Sequence, residues 1–216
     1  MTKRILAMGA HPDDMELEAG GTLAKWASKG YETHLLVLTS GEYCNMGGEV
    51  YKAESLQEEG RRAAKTLNIT EVTFLDYIAT ELPSNGKIVS EVDQIVKDIA
   101  PDILISHHPF DSHQDHRAAA EIMFSISRQG RIENVVSCSP LPYRPNVFAF
   151  RPQLFIDISA TIDAKLDAIR CYKSQCDKYG GEELIERVRS LARVSGWAVS
   201  IEFAECFEVV RMNDIF

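Results

Sequence analysis

Two short polar stretches hold the residues whose types and spacing could do chemistry. The first, "AHPDD" at residues 10–14, presents His11, Asp13 and Asp14 directly after an apolar run. The second, "HHPFDSHQDH" at residues 107–116, adds His107, His108, Asp111, His113, Asp115 and His116. Five of the chain's 6 histidines lie in these two segments. Imidazole and carboxylate donors without a thiolate suit zinc, or divalent iron, cobalt or nickel. A catalytic zinc takes three protein ligands and keeps a position for water, which two histidines and one aspartate satisfy. Such an ion brings the pKa of its water to about 7 and polarises a carbonyl. A further carboxylate off the metal is then needed to accept the water's proton. Asp13 and Asp14 are adjacent, so their side chains leave the backbone in different directions. One can serve the metal while the other faces the water.

The two stretches are about a hundred residues apart, so the fold must bring them together. "RILAMGA" (4–10) reads as a buried strand, and "MELEAGGTLAKWASKG" (15–30) as a helix ending on Gly30. Gly20 and Gly21 cost helix propensity, and close packing of the helix on the sheet would compensate. Strands follow at "THLLVLTS" (33–40) and "EVTFLDY" (71–77), with a loop "GEYCNMGGE" and a helix over 53–68 between them. A helix over 90–100 stops at Pro101, "DILIS" (102–106) is the fourth strand, and "RAAAEIMFSIS" a helix after the second polar loop. Further strands are expected at "NVVSC", "NVFAF", "LFIDIS" and "EFAECFEVV", and helices near 161–175 and 182–195. This alternation implies one α/β domain over residues 1–216: a Rossmann-like, doubly wound, mostly parallel sheet with helices on both faces. In the order 3-2-1-4-5, strands one and four are neighbours where the order reverses, and ligands bind beyond their carboxyl ends. Both polar clusters leave those two ends.

Composition sets bounds on partners. A formal charge of -9 gives no electrostatic reason to expect nucleic acid or an anionic membrane. The one dense basic stretch, "ERVRSLAR" (186–193), has the spacing of a solvated helix face. No segment approaches the roughly 18 apolar residues of a membrane span. Five scattered cysteines without a CxxC pair argue against disulfides and a thiolate zinc site, and favour a cytoplasmic protein. Cys44, in the 41–49 loop, could be a reactive thiol, with nothing adjacent to support it.

"AHPDD" with a downstream "HQDH" resembles the signature of the PIG-L/LmbE-like deacetylases, and "MELEAGGTLAK" and "AAKTLN" fit the same pattern. The likeness runs from the first strand to about residue 120, with weaker echoes in "KLDAIRCYKSQ" and "EFAECFEVV". The resemblance implies a zinc-dependent hydrolysis of an amide, commonly the N-acetyl group of an N-acetylglucosamine unit. By carry-over, His11, Asp14 and His116 would bind the metal and Asp13 would be the general base. His113 would stabilise the oxyanion or act as an acid. Asp115 would sit behind a ligand imidazole and orient it. Two family features are missing: the substrate-contacting arginine of the second helix falls at Leu56, and the aspartate after the third strand at Ala79. Substrate contacts are therefore unassigned, and specificity is expected in loops 41–50, 79–86 and 139–153.

The resemblance thus predicts removal of an acyl group from an amino-sugar compound, and the lack of a membrane anchor favours a soluble substrate over a lipid-embedded one; relatives are often homo-oligomers, and the sequence leaves this chain's oligomeric state open. Three rivals remain. A non-haem iron oxygenase also uses two histidines and a carboxylate, but has no need of Asp13 and His113. A nucleotide-binding module would carry GxGxxG where this chain has "GAHPDDMELEAGG". A metal-binding protein without turnover is the third.

Overall fold

The computed structural model describes residues 2–44, 48–128, 130–140 and 150–213. The apolar run after the N-terminus forms β1 (Arg4–Gly9), in which Ile5 and Ala7 face one core and Leu6 and Met8 the other, each fully buried. Such a two-sided strand belongs in the middle of a sheet. In chain order there follow α1 (Asp14–Ser28), β2 (Glu32–Thr39), β3 (Tyr43–Cys44), β4 (Val50–Tyr51), α2 (Ala53–Thr66) and β5 (Glu71–Tyr77). Next come α3 (Gly86–Ile99), β6 (Ile103–Ser106), α4 (Gln114–Ser127), β7 (Asn134–Cys138) and β8 (Leu154–Asp157). The chain closes with α5 (Ile162–Arg170), α6 (Lys173–Lys178), α7 (Glu182–Trp197) and β9 (Ala204–Met212).

The sheet runs β5-β2-β1-β6-β7-β9-β8. Its first five strands are parallel, while β9 lies antiparallel to both β7 and β8. The parallel strands thus have the 3-2-1-4-5 order, with β1 beside β6 at the reversal. One face is covered by α3 and α4, whose Ile88, Val92, Val96, Ile122 and Met123 pack on Leu6, Met8, Leu36 and Leu104. The other is covered by α1, through Met15, Ala19, Leu23 and Trp26 on Ile5, Ala7, Leu35 and Ile103. Outside α1, α5 and α7 build another apolar layer around Leu166, Ile169, Leu184 and Val188.

Several sequence expectations need correction. The glycine pair of α1 makes room for Ile158, just past β8, and Lys165 of α5, as well as for Glu205 of the sheet strand β9. A Cβ on Gly21 would lie 2.8 Å from Ile158, and one on Gly20 3.4 Å from Lys165. The bare backbone there also lets the Glu205 carboxylate reach in and accept from Gly21 N (2.9 Å) and Thr22 N (2.7 Å), while Lys165 pairs with the same carboxylate. The expected helix over 161–175 breaks after Arg170 and resumes as α6. The 41–49 loop contains β3, which pairs with β4 in a small hairpin off the main sheet. The expected strand "NVFAF" falls at 146–150; residues 146–149 lie outside the described residues, and Phe150 is in no strand.

The basic stretch is a solvated face of α7: Arg187, Arg189 and Arg193 pair with Glu183, Asp163 and Glu202. Among the described residues, no helix is long and apolar enough to cross a membrane.

Candidate metal centre and cleft

Register brings the two polar segments side by side. Met8 of β1 is opposite Ser106 of β6, and the Ser106 hydroxyl donates to Met8 O at 2.8 Å. Beyond the strand ends, Ala10 N donates to His107 Nε2 at 3.0 Å. The chain then turns sharply at Asp13, whose φ of 103° lies in the left-handed region that L-residues rarely enter. That turn feeds straight into α1 and leaves the Asp13 side chain lining a cleft instead of capping the helix. Asp14 opens α1 almost fully buried, its carboxylate accepting from His11 N at 2.7 Å. An anion in the first helical turn is favoured by the macrodipole.

The second segment is more helical than its sequence implied: α4 starts at Gln114, so Asp115 and His116 belong to its first turn. His113 is the N-cap, its Nδ1 accepting from Asp115 N at 3.2 Å. In the neutral ring the proton therefore sits on Nε2. Burial, together with the charges of His11 and His116, pushes the His113 pKa down to about 4, so the ring is neutral at pH 7.

Donor atoms from both segments converge on Asp14. His11 Nδ1 lies 3.3 Å from Asp14 Oδ2, and His116 Nε2 lies 3.2 Å from Asp14 Oδ1. Around a tetrahedral ion with donors at about 2.0–2.1 Å, neighbouring donors stand about 3.3 Å apart. His11 and His116 thus each stand at donor spacing from Asp14, one at each carboxylate oxygen, and their chemistry suits a divalent ion. His113 is close as well, its ligand atom grouping with those of His11 and His116 within 4.8 Å. Burial alone would raise the Asp14 pKa, but His116, His107 and His11 outweigh it and hold the carboxyl well below its usual range.

A carboxylate backs each of the two imidazoles. Asp115 Oδ2 is 2.8 Å from His11 Nε2, and Asp115 is itself held by Thr80 N (2.6 Å) and Leu82 N (3.2 Å). Asp111 Oδ2 is 3.1 Å from His116 Nδ1. Outer contacts of this kind orient metal-binding imidazoles.

His107 and His108 part company. His107 is buried, stacked on His116 at 3.8 Å between centroids, with Asp14 at 3.2 Å and Glu18 at 3.2 Å. His108 turns toward Glu208 at 3.3 Å, away from the cleft lining. Glu18 escaped sequence reasoning, although its spacing of four from Asp14 puts both carboxylates on one face of α1. With His107, Asp111 and His116 it forms a second, fully buried group of potential ligands.

The cleft encloses about 220 Å³ and is lined by His11, Asp13, Asp14 and His113 on the side of the metal centre. Gly41, at φ +83°, passes so near Pro12 that a Cβ would sit 2.7 Å from the ring. Loops 41–50 and 79–86 contribute Tyr43, Cys44, Ala79 and Thr80 to the lining, and Leu56 is in the wall. Most of the third expected loop lies outside the described residues. The remaining wall, Gln175, Lys178 and Tyr179 at the end of α6, was not foreseen.

A mostly parallel sheet with histidines and aspartates converging at its switch point defines an α/β protein with a candidate metal-binding cluster. The chain belongs to the PIG-L family, described as GlcNAc-PI de-N-acetylase, whose model matches residues 6–127. Diacetylchitobiose deacetylase of Thermococcus kodakarensis is 29% identical over 217 residues, covering 94% of this chain and 81% of the relative. The uncharacterized deacetylase YaiS of Escherichia coli K12 is 31% identical over 185 residues, covering 80% and 91%. Among solved structures, the 4-carboxy-2-hydroxymuconate hydratase of Pseudomonas putida KT2440 superposes with a TM-score of 0.85 at 24% identity, over 100% of both chains. The fold therefore houses more than one chemistry, and the site has to choose between them.

Proposed function

We propose that this protein is a zinc-dependent N-deacetylase that hydrolyses the acetamide of an amino-sugar compound to acetate and the free amine. One arrangement carries the reading: His11, Asp14 and His116 converge, while Asp13 and His113 stand beside them in the same cleft. A divalent ion held by those three residues would supply an activated water and polarise the amide carbonyl. Asp13 takes the proton from the attacking water, since of the two carboxylates lining the cleft it is the more exposed, while that of Asp14 is engaged by His11, His107 and His116. His113, neutral and carrying its proton on Nε2, donates to the carbonyl oxygen as negative charge develops there. Asp13 then passes the proton to nitrogen, and the C–N bond breaks with the electron pair leaving on the amine. Asp115 and Asp111 keep the His11 and His116 rings in position throughout.

The imidazole–carboxylate donor set supports zinc among the divalent ions. All five cysteines are free thiols, which supports a reducing, cytoplasmic setting. Incubating the zinc-loaded protein anaerobically with N-acetylglucosamine and diacetylchitobiose, and measuring acetate and primary amine, tests the reading. Release of both in equal amounts is expected. Release only when oxygen and a reductant are supplied would overturn it in favour of an oxygenase, and no release with any N-acetylated sugar would remove the deacetylase assignment.

A further inference from the structure

Asp13 is set by neighbours that no sequence motif joins to it. Its φ of 103° is a conformation that an aspartate keeps only where the surroundings impose it. Three contacts do so. Pro12, just before it, has its own φ fixed by its ring, and that ring lies against the bare backbone of Gly41. The Asp13 carbonyl accepts from Leu17 N at 3.0 Å, a hydrogen bond that opens α1. The remaining backbone group, the Asp13 amide, is hydrogen-bonded to the hydroxyl of Tyr172, the residue before α6. On its other side that hydroxyl donates to Glu16 Oε1 at 2.6 Å. A buried phenol whose donor and acceptor sides are both occupied is fixed in direction. Glu16 and Tyr172 are each only 1% exposed, and the phenol packs among Ala24, Ala63, Leu67 and Ala168. Gly60 of α2 leaves the space for it, since a Cβ there would sit 3.3 Å from Tyr172 Oη. Neither Glu16 nor Tyr172 lines the cleft, so any effect of theirs on the reaction has to pass through another residue.

We infer that Tyr172 is a positioning residue: with Glu16 behind it, its hydroxyl anchors the Asp13 amide and so aims the Asp13 carboxylate at the attacking water. The role of Asp13 as base rests on the deacetylase reading; the anchoring of its backbone does not. With the carbonyl tied to α1 and the amide tied to Tyr172, turning about the Asp13 N–Cα bond breaks one tie or the other. Removing the hydroxyl frees the amide, the turn relaxes out of the left-handed region, and the carboxylate moves with it. A displacement of about 1 Å in a reacting group costs up to about 10²-fold in rate.

The test uses Tyr172→Phe, which keeps the ring and removes the hydroxyl, and Glu16→Leu, which removes the acceptor behind it. Glu16→Gln, which keeps an oxygen at that place, is the rescue. With metal-loaded protein and diacetylchitobiose, Tyr172→Phe should lower kcat by about 10–100-fold, while KM and metal affinity, read by chelator competition, stay at wild-type values. Glu16→Leu should match that loss, and Glu16→Gln should keep most of the wild-type rate. In an Asp13→Asn background, Tyr172→Phe should cost nothing further, because a positioning residue has no effect once the group it positions is gone. In a crystal structure of Tyr172→Phe, Asp13 should have left its φ of 103°. Full kcat in Tyr172→Phe, an undiminished loss in the Asp13→Asn background, or a raised KM at unchanged kcat would each overturn the proposal. So would an Asp13 turn that stays as it is without the hydroxyl. If wild type releases no acetate from any N-acetylated sugar, the deacetylase reading falls by itself. Crystal structures of wild type and Tyr172→Phe then still decide whether the phenol anchors the turn.

Discussion

Asp115 Oδ2 lies 2.8 Å from His11 Nε2, so a carboxylate in the second polar segment fixes an imidazole in the first across 104 positions of chain. The His11 nitrogen left over, Nδ1, is the one turned toward Asp14. Asp115→Asn should therefore weaken metal affinity by about 10–100-fold, read by competition with a chromogenic chelator. Unchanged affinity would mean that Asp115 serves only the Thr80–Leu82 loop.

Asp13 and Asp14 should separate cleanly on mutation. Asp13→Asn should lower kcat by about 10²–10⁴ with metal content, measured by plasma emission, close to wild type. Asp14→Asn should lose metal and activity together. An Asp13→Asn enzyme of normal turnover would require another base.

Metal should stabilise the fold through the same residues. An ion present at 1,000 times its Kd adds about 4 kcal/mol when it binds only the folded chain. Chelation should lower the melting temperature of wild type, and zinc should restore it. His116→Ala should show neither response, which calorimetric melts can establish.

Lys165 and Glu205 form a pair buried to about 4% side-chain exposure. Removing one partner of such a pair costs about 3–5 kcal/mol. Glu205→Ala should meet that figure, because it also strips the acceptor from Gly21 N and Thr22 N. In urea denaturation, Lys165→Met combined with Glu205→Gln should cost less than the sum of the single changes. Strict additivity would show that the two side chains are energetically independent.

Gly21→Ala poses a contest of signs. Alanine favours a helix interior by about 1 kcal/mol, but its Cβ would meet three Ile158 atoms at 2.8–3.0 Å. Overpacking of this kind costs about 1–3 kcal/mol, so the variant should be destabilised, and Ile158→Val should relieve it in part. A more stable Gly21→Ala protein would mean that Ile158 moves aside freely.

Much of this was legible in the chain because the information is local. Two-sided apolar runs such as "RILAMG" and "DILIS" identify interior parallel strands, and the order of elements then dictates which ends adjoin. His11, Asp13 and Asp14 follow the end of β1 directly, and His113 and His116 stand on the loop and helix start that follow β6, so the two sets meet beyond adjoining strand ends. Glu18 and His107 were harder. Helical spacing does join Glu18 to Asp14, but its approach to His107 depends on how α1 crosses β6, which no periodicity records. The α6 wall was invisible for a different reason: six residues leave too little pattern to mark a helix, and nothing near Lys178 in sequence refers to the cleft. The helical start at Gln114 was obscured by His113, a residue that reads as a ligand and acts as a cap.

The division of the cleft into a sheet-borne side and an inserted side has an evolutionary corollary. The residues proposed to hold the ion hang from the scaffold itself, where almost any change also threatens folding. The tyrosine-lined hairpin and the short helix facing it answer to no such constraint. Descendants of one ancestor could keep an inherited reaction and exchange one diet for another by rewriting a dozen peripheral positions.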